Sequence, residues 1–237
     1  MPDDSNPADR FFVLVPSAGS GSRFGSPLAK QYVAVDGMPM LSHTLAALAD
    51  VRRVTLVLVA LAPDDDEFDQ RVTLPRGDRF AVARCGGATR ARTVAAGLAE
   101  LGRRGARADD WVLVHDAARC LVQGAWIDAL IDACKDDAVG GLLAIPVADT
   151  LKREAHGRVA TTLPRAGVWL AQTPQMFRLA VLQGALAGAG EDVNDEASAI
   201  EALGLAPLLI AGSAENLKVT QPGDVAIAVA ILRARRA

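Results

Sequence analysis

FFVLVP, residues Phe11 to Pro16, is continuously apolar and gives way at once to SAGSGSRFGSP, residues Ser17 to Pro27. An unbroken apolar run of this kind reads as a strand buried on both faces, as in parallel sheets, and the small residues after it read as a loop. Outward from that unit the pattern recurs in RVTLVLVA (Arg53 to Ala60), RFAVARC (Arg79 to Cys85), WVLVH (Trp111 to His115), GGLLAIPV (Gly140 to Val147) and APLLIAG (Ala206 to Gly212). Between these runs lie stretches of helical spacing: MPMLSHTLAALAD, ATRARTVAAGLAEL, QGAWIDALIDACKD, PQMFRLAVLQGALAGAG, DEASAIEALG and the terminal PGDVAIAVAILRARRA. Strand and helix alternate from end to end, which predicts an α/β fold with a mostly parallel sheet, in a single domain over residues 1–237. Residues 147–172, VADTLKREAHGRVATTLPRAGVWLAQ, depart from the alternation and predict a β-arm turning at His156-Gly157. A projecting arm needs a surface to pack on, and a second copy of the chain is the simplest supply, so a homodimer is expected.

Composition narrows the function. With 25 Lys+Arg against 28 Asp+Glu the net charge is −3, so no excess of positive charge is available to grip a nucleic-acid backbone. Apolar runs such as Leu56 to Ala62 fall far short of the roughly 20 residues that span a bilayer. The opening MPDDSNPADR carries acids where a secretory signal carries bases, so a cytoplasmic protein is expected. Cys85, Cys120 and Cys134 form no C-x-x-C pair, which suggests neither a disulfide framework nor a structural zinc site. The lysines are Lys30, Lys135, Lys152 and Lys218, and every other basic residue is arginine. The arginine clusters at 103–104 and 233–236 read as ordinary solvated charge.

Three chemistries compete for the loop that opens at Ser17. A dinucleotide fingerprint places a third glycine where this chain has Phe24, and it needs a full helix where Pro27 intervenes, although Asp36 could imitate the ribose-binding acid. A P-loop needs a glycine followed by lysine, and none is present. What remains is a strand end that presents backbone N–H groups, followed by Arg23 and Lys30, which are the parts of a triphosphate site. A glycine-rich surface turn is the blander reading, and the loop alone does not choose between them.

Further strings decide it. PSAGSGSRFG with AKQY, CGGATRARTV, VHDAAR, PVADTLKR, LPRAGVWLAQTPQMF, NDEASAIE and ENLKVTQPGD together resemble the 2-C-methyl-D-erythritol 4-phosphate cytidylyltransferase family. The resemblance implies a Rossmann-like three-layer fold and transfer of CMP from CTP to methylerythritol 4-phosphate with Mg²⁺. Ribitol 5-phosphate is the rival acceptor, and a CTP-binding dimer without catalysis is the rival of another class. In-line attack by a phosphate that is already ionised needs no nucleophilic side chain and no general base, so the barrier is electrostatic.

By matching position, the resemblance makes Arg23 and Lys30 the cations that neutralise the triphosphate, and Lys218 the lysine that orients the nucleotide and the incoming phosphate. Ser17, Ala18, Gly19 and Gly21 are implied as backbone contacts to CTP, with Gly87 and Ala88 around the base and Thr93 and Ala117 completing the nucleotide contacts. Asp116 follows a buried strand and is open to two roles, holding a sugar hydroxyl or helping to keep the metal. His115 beside it is expected to point the other way, into the core. Arg119 is expected to brace this turn on the acceptor side. Thr150 and Arg165 on the arm are implied to reach the acceptor of the neighbouring subunit, and Thr173 to make a further substrate contact. Asp195 is read as a helix cap.

Overall fold

A computed structural model describes residues 9–19, 24, 28–188 and 193–236. The chain enters through β1 (Phe11–Ser17), makes one 3₁₀ turn at Lys30–Tyr32, and forms a small hairpin of β2 (Ala34–Val35) and β3 (Met38–Pro39). Next come α1 (Met40–Ala49), β4 (Val54–Leu61), α2 (Phe68–Arg71), β5 (Phe80–Ala83), α3 (Arg90–Arg103), β6 (Trp111–Val114), α4 (Gly124–Cys134) and β7 (Gly140–Pro146). The last part holds β8 (Leu151–Ala155), β9 (Arg158–Leu163), β10 (Trp169–Arg178), α5 (Leu179–Gly188), α6 (Glu196–Glu201), β11 (Leu208–Ala211) and α7 (Pro222–Ala234).

The central sheet has seven strands in the order β11-β7-β10-β6-β1-β4-β5. β1 pairs in parallel with β4 and β6, β4 with β5, and β11 with β7, while β10 runs antiparallel to both its neighbours. Alternate residues of β1 feed opposite faces, as strand geometry requires. Val13 and Val15 pack with Leu45 and Leu48 of α1 and Ile127 and Leu130 of α4, whereas Phe12 and Leu14 pack with Val94, Leu98 and Leu101 of α3 and Leu182 of α5. The result is the expected α/β three-layer arrangement, Rossmann-like, with β1 buried on both sides. Helix α3 lies close on the sheet because Gly97 faces Leu14, where a Cβ would come within 2.5 Å of its Cδ1.

A third apolar cluster joins Phe24, Val35, Met40, Leu121 and Val219 to Ala228 of α7. The terminal arginines, expected to be merely solvated, are staples for that helix. Arg233 and Arg236 reach Asp36 at 3.0 and 2.6 Å, and Arg235 reaches Glu215 at 2.8 Å and the Leu121 carbonyl at 2.9 Å. Asp36 sits at φ 47° beside Gly37 at φ 83° in the β2–β3 turn, so it is a turn residue tied to α7 and not a ribose acid.

Two boundaries differ from the sequence reading. PQMF, taken as the start of a helix, belongs to β10, and the helix begins only at Leu179. Met176 joins the α1/α4 core and Phe177 the α3/α5 core, which is the period of a strand pinned between β6 and β7. The hairpin of β8 and β9 forms its own two-stranded sheet, turning at His156 (φ 53°) and Gly157 (φ 75°), with most of its residues exposed. It is narrower than 147–172, because Trp169 to Gln172 belong to the central sheet. Among the described residues no helix is long and apolar enough to cross a membrane.

Candidate active site

The chain runs outward from β1 to β4 and β5 and then returns to β6 on the other side of β1. Such a reversal of strand order opens a crevice at the carboxyl ends of β1 and β6, where α/β sheets bind ligands. A cavity of about 480 Å³ lies there. Ser17, Ala18 and Gly19 leaving β1, Asp116 and Ala117 leaving β6, Gly87 to Arg90 and Thr93 at the start of α3, Lys30 and Lys218 all line it.

Small residues make this crevice possible. Gly86 donates its N–H to the Leu61 carbonyl at 2.7 Å, and a Cβ there would come within 2.2 Å of the Ala18 Cβ and 2.7 Å of the Leu61 oxygen. Gly87 is tied down in turn, its N–H donating to Thr93 Oγ1 at 3.1 Å, while Thr89 caps α3 by accepting from the Arg92 N–H at 3.2 Å. Gln31, buried, donates to the Ser17 carbonyl at 2.9 Å and fixes the end of β1 against the Lys30 turn.

Asp116 is the carboxylate on the cavity wall, and it is clamped. Arg90 Nε donates to one of its oxygens at 2.8 Å, and Lys218 Nζ lies 2.7 Å from the other. Burial alone would raise its pKa, but the facing Arg90 and Lys218 outweigh burial and hold the carboxyl well below the usual carboxylate range. Arg90 also grips Glu196 with both terminal nitrogens, at 2.7 and 3.0 Å, and Glu196 is 1% exposed. Burial raises the Glu196 carboxyl, against the opposing pull of Arg90.

Beneath Asp116 a hydrogen-bond network fixes the loop. His115 Nε2 lies 3.2 Å from the Arg119 carbonyl, which can only accept, so Nε2 carries the proton. Nδ1 is then an acceptor, and the Thr173 hydroxyl 3.1 Å away donates to it while accepting from the Asp116 N–H at 3.0 Å. His115 is fully buried, and burial pushes its pKa down to about 4, so the ring is neutral near pH 7. Arg119 donates to the carbonyls of Asn216 at 2.7 Å and Ala171 at 3.1 Å, bracing the turn against β10 and the segment that carries Lys218. Asn216, fully buried, donates to the Thr173 carbonyl at 2.9 Å, and Val219 N–H donates to the Ala118 carbonyl at 2.8 Å. Lys218 is thus held onto the Asp116 loop from both sides.

Ser17, Ala18, Gly19, Lys30, Gly87, Ala88, Thr93, Asp116, Ala117 and Lys218, singled out in the sequence, therefore meet at one cavity. Thr173 and Arg119 are not among the residues that line it, and both are engaged with neighbouring groups. Thr150 and Arg165 are exposed on either side of the β8–β9 hairpin and do not line this cavity. Gly21 and Arg23 lie outside the described residues. Sequence reading missed Arg90, Glu196 and Asn216, although all three stand inside the quoted strings CGGATRARTV, NDEASAIE and ENLKVTQPGD. The available signal was an acid in NDEASAIE at a position that its helix buries.

The geometry has counterparts among known proteins. The sequence pattern of the family described as IspD: 2-C-methyl-D-erythritol 4-phosphate cytidylyltransferase matches residues 11–234. The 2-C-methyl-D-erythritol 4-phosphate cytidylyltransferase of Chromobacterium violaceum is 54% identical over 226 residues, covering 94% of this chain and 98% of that protein. The bifunctional enzyme IspD/IspF of Albidiferax ferrireducens is 55% identical over 231 residues, covering 98% of this chain but 55% of that protein, so the chain spans about half of this relative. A crystal structure of 4-diphosphocytidyl-2C-methyl-D-erythritol synthase superposes with a TM-score of 0.83 at 39% identity, covering 94% of this chain and 99% of that one. The Francisella tularensis 2-C-methyl-D-erythritol 4-phosphate cytidylyltransferase gives 0.78 at 32%, covering 93% and 98%. Sequence and fold are matched along nearly the whole chain, and the chain belongs to the 2-C-methyl-D-erythritol 4-phosphate cytidylyltransferase family.

Proposed function

We propose that the chain transfers CMP from CTP to 2-C-methyl-D-erythritol 4-phosphate, releasing pyrophosphate. The observation that carries this reading is Asp116, kept anionic between Arg90 and Lys218 on the wall of a crevice that the Ser17–Gly19 backbone and Lys30 also line. An oxygen of the acceptor phosphate attacks the α-phosphorus of CTP, a P–O bond forms there, and the bond to the β-phosphate oxygen breaks as pyrophosphate leaves. Both reactants are anions, so the work of the site is to offset charge and to align. Lys30 and Lys218, which line the cavity, are assigned this task, as is Arg23 from sequence. The buried, neutral His115 holds the Asp116 loop and moves no proton, since the acceptor phosphate needs no base.

A divalent metal fits this site as a companion of the triphosphate. Among the described residues each Asp116 oxygen has one partner, which leaves it an acceptor position, and no cluster of three or more His, Cys, Asp or Glu side chains suited to a metal occurs. Mg²⁺ commonly binds through one or two carboxylates plus substrate phosphates. Asp116 would hold it, and the metal would supply charge neutralisation on the phosphate oxygens.

The exposed hairpin with Thr150 and Arg165 supports a homodimer in which each arm reaches the neighbouring acceptor site, and a cytoplasmic biosynthetic role accords with these substrates. Pyrophosphate release from CTP and Mg²⁺ with methylerythritol 4-phosphate against ribitol 5-phosphate tests the reading. Turnover of the first, lost in Lys30→Ala, is expected. Turnover of ribitol 5-phosphate alone would reassign the acceptor, and CTP binding without turnover would favour a nucleotide sensor.

A further inference from the structure

The pair Arg90–Glu196 is unexplained by stability. Glu196 is 1% exposed and lies in α6, a helix nailed to β10 by Gln175, whose side chain accepts from the Ala197 N–H at 2.7 Å and donates to Asp195 at 2.9 Å. A buried ion pair is on average no more stabilising than apolar residues of the same volume, because taking both charges out of water offsets their attraction. Its effect here is geometric. A guanidinium prefers to close on a single carboxylate with two parallel hydrogen bonds. Glu196 engages both terminal nitrogens of Arg90, at 2.7 and 3.0 Å, and so sets the orientation of the guanidinium, which meets Asp116 through Nε, at 2.8 Å. Asp116 therefore meets Arg90 at one oxygen, and its other oxygen is free to meet Lys218 at 2.7 Å.

We infer that Glu196 is a positioning residue for cytidylyl transfer, fixing through Arg90 the one-point contact that keeps the second oxygen of Asp116 for Lys218. The inference rests on the activity proposed above and extends its machinery to a residue that does not line the cavity. Without the Glu196 charge, the Arg90 fork turns onto both oxygens of Asp116 and displaces Lys218 from its aimed position. The loss is kinetic, and it travels along the line Glu196, Arg90, Asp116, Lys218.

A double-mutant cycle on turnover tests it. In the full chain, Glu196→Gln is expected to lower kcat about tenfold or more, a loss of alignment in the reacting complex. Combined with Lys218→Ala, it is expected to add less than about twofold to the effect of Lys218→Ala alone, because both changes remove the same aimed lysine. Wild-type kcat in Glu196→Gln overturns the inference. So does a double variant whose loss equals the product of the two single losses, which is what a merely structural Glu196 would give. Should Glu196→Gln fail to fold, Glu196→Asp carries the same cycle, keeping the charge but withdrawing it by one methylene. An inactive wild type would instead remove the proposed function, so the two failures are distinguishable.

Discussion

Lys218 is 39% exposed as a side chain, and its partner Asp116 keeps Arg90 when the lysine is removed. Partly exposed pairs of this kind contribute little to folding. Their effect on a developing phosphate charge is far larger, so Lys218→Ala should lower kcat on the order of 100-fold while the melting temperature moves by only a few degrees. Parallel turnover and thermal unfolding check it, and a large fall in melting temperature with near-normal kcat would make the lysine structural. His115 makes the opposite kind of contribution. Burial takes its pKa from about 6.5 in the unfolded chain to about 4 in the folded one, so the folded state binds the proton less readily. Its contribution is complete above the unfolded value and lost as pH falls through the window from 6.5 to 4, amounting to about 2 kcal/mol between pH 7.5 and 5. Denaturant unfolding at those two pH values should show this loss, and His115→Asn should flatten it. An unchanged slope in the variant would assign the loss to other groups. At this scale the sequence was legible where the chemistry is local, as with Asp116 after its strand and Lys218 in its string. Arg90 and Glu196 lie 106 positions apart, and no local pattern announces a partner at that distance.

The crevice exists because three backbone segments approach more closely than side chains ordinarily permit. A Cβ on Gly86 would meet the Leu61 carbonyl oxygen at 2.7 Å and the Ala18 Cβ at 2.2 Å, and neither can swing aside as a flexible side chain can. Gly86→Ala should therefore cost about 1–3 kcal/mol of stability. It should also raise the KM for CTP, because Ala18 lines the cavity. Gly19 offers the contrast, with nothing within 4 Å of a Cβ, so Gly19→Ala should leave unfolding unchanged. Equal stability of the two variants would show that the close approach relaxes freely. The element order was readable because apolar runs and helical spacing are local signals, and β1, β4, β6 and β7 lie near where their patterns put them. β10 was not readable in full. The run PQMFRLAVLQ reads as one helix, and only the antiparallel pairing with β6 and β7 makes Met176 and Phe177 a strand. The tie between α7 and the β2–β3 turn was hidden for the same reason, since Arg233 meets Asp36 across 197 positions.

At the scale of the molecule, the chain supplies the crevice but leaves Thr150 and Arg165 exposed on either side of a hairpin that is a separate two-stranded sheet. An exposed arginine without a partner surface is ordinary; an arginine carried on an arm toward a neighbouring acceptor site is part of catalysis, and subunit mixing separates the two. In a twofold dimer whose sites are shared, each site combines Lys30 of one subunit with Arg165 of the other. Lys30→Ala and Arg165→Ala homodimers are then both inactive at every site. A heterodimer of the two gathers both lesions at one site and leaves the other intact. Random reassortment makes about half the dimers heterodimers, so activity should return to about a quarter of the wild-type level. If Arg165 instead serves the crevice of its own chain, every site in the heterodimer carries one lesion and mixing restores nothing. Native mass spectrometry on the mixed sample verifies that heterodimers have formed, which makes an absence of recovery a result against the shared site.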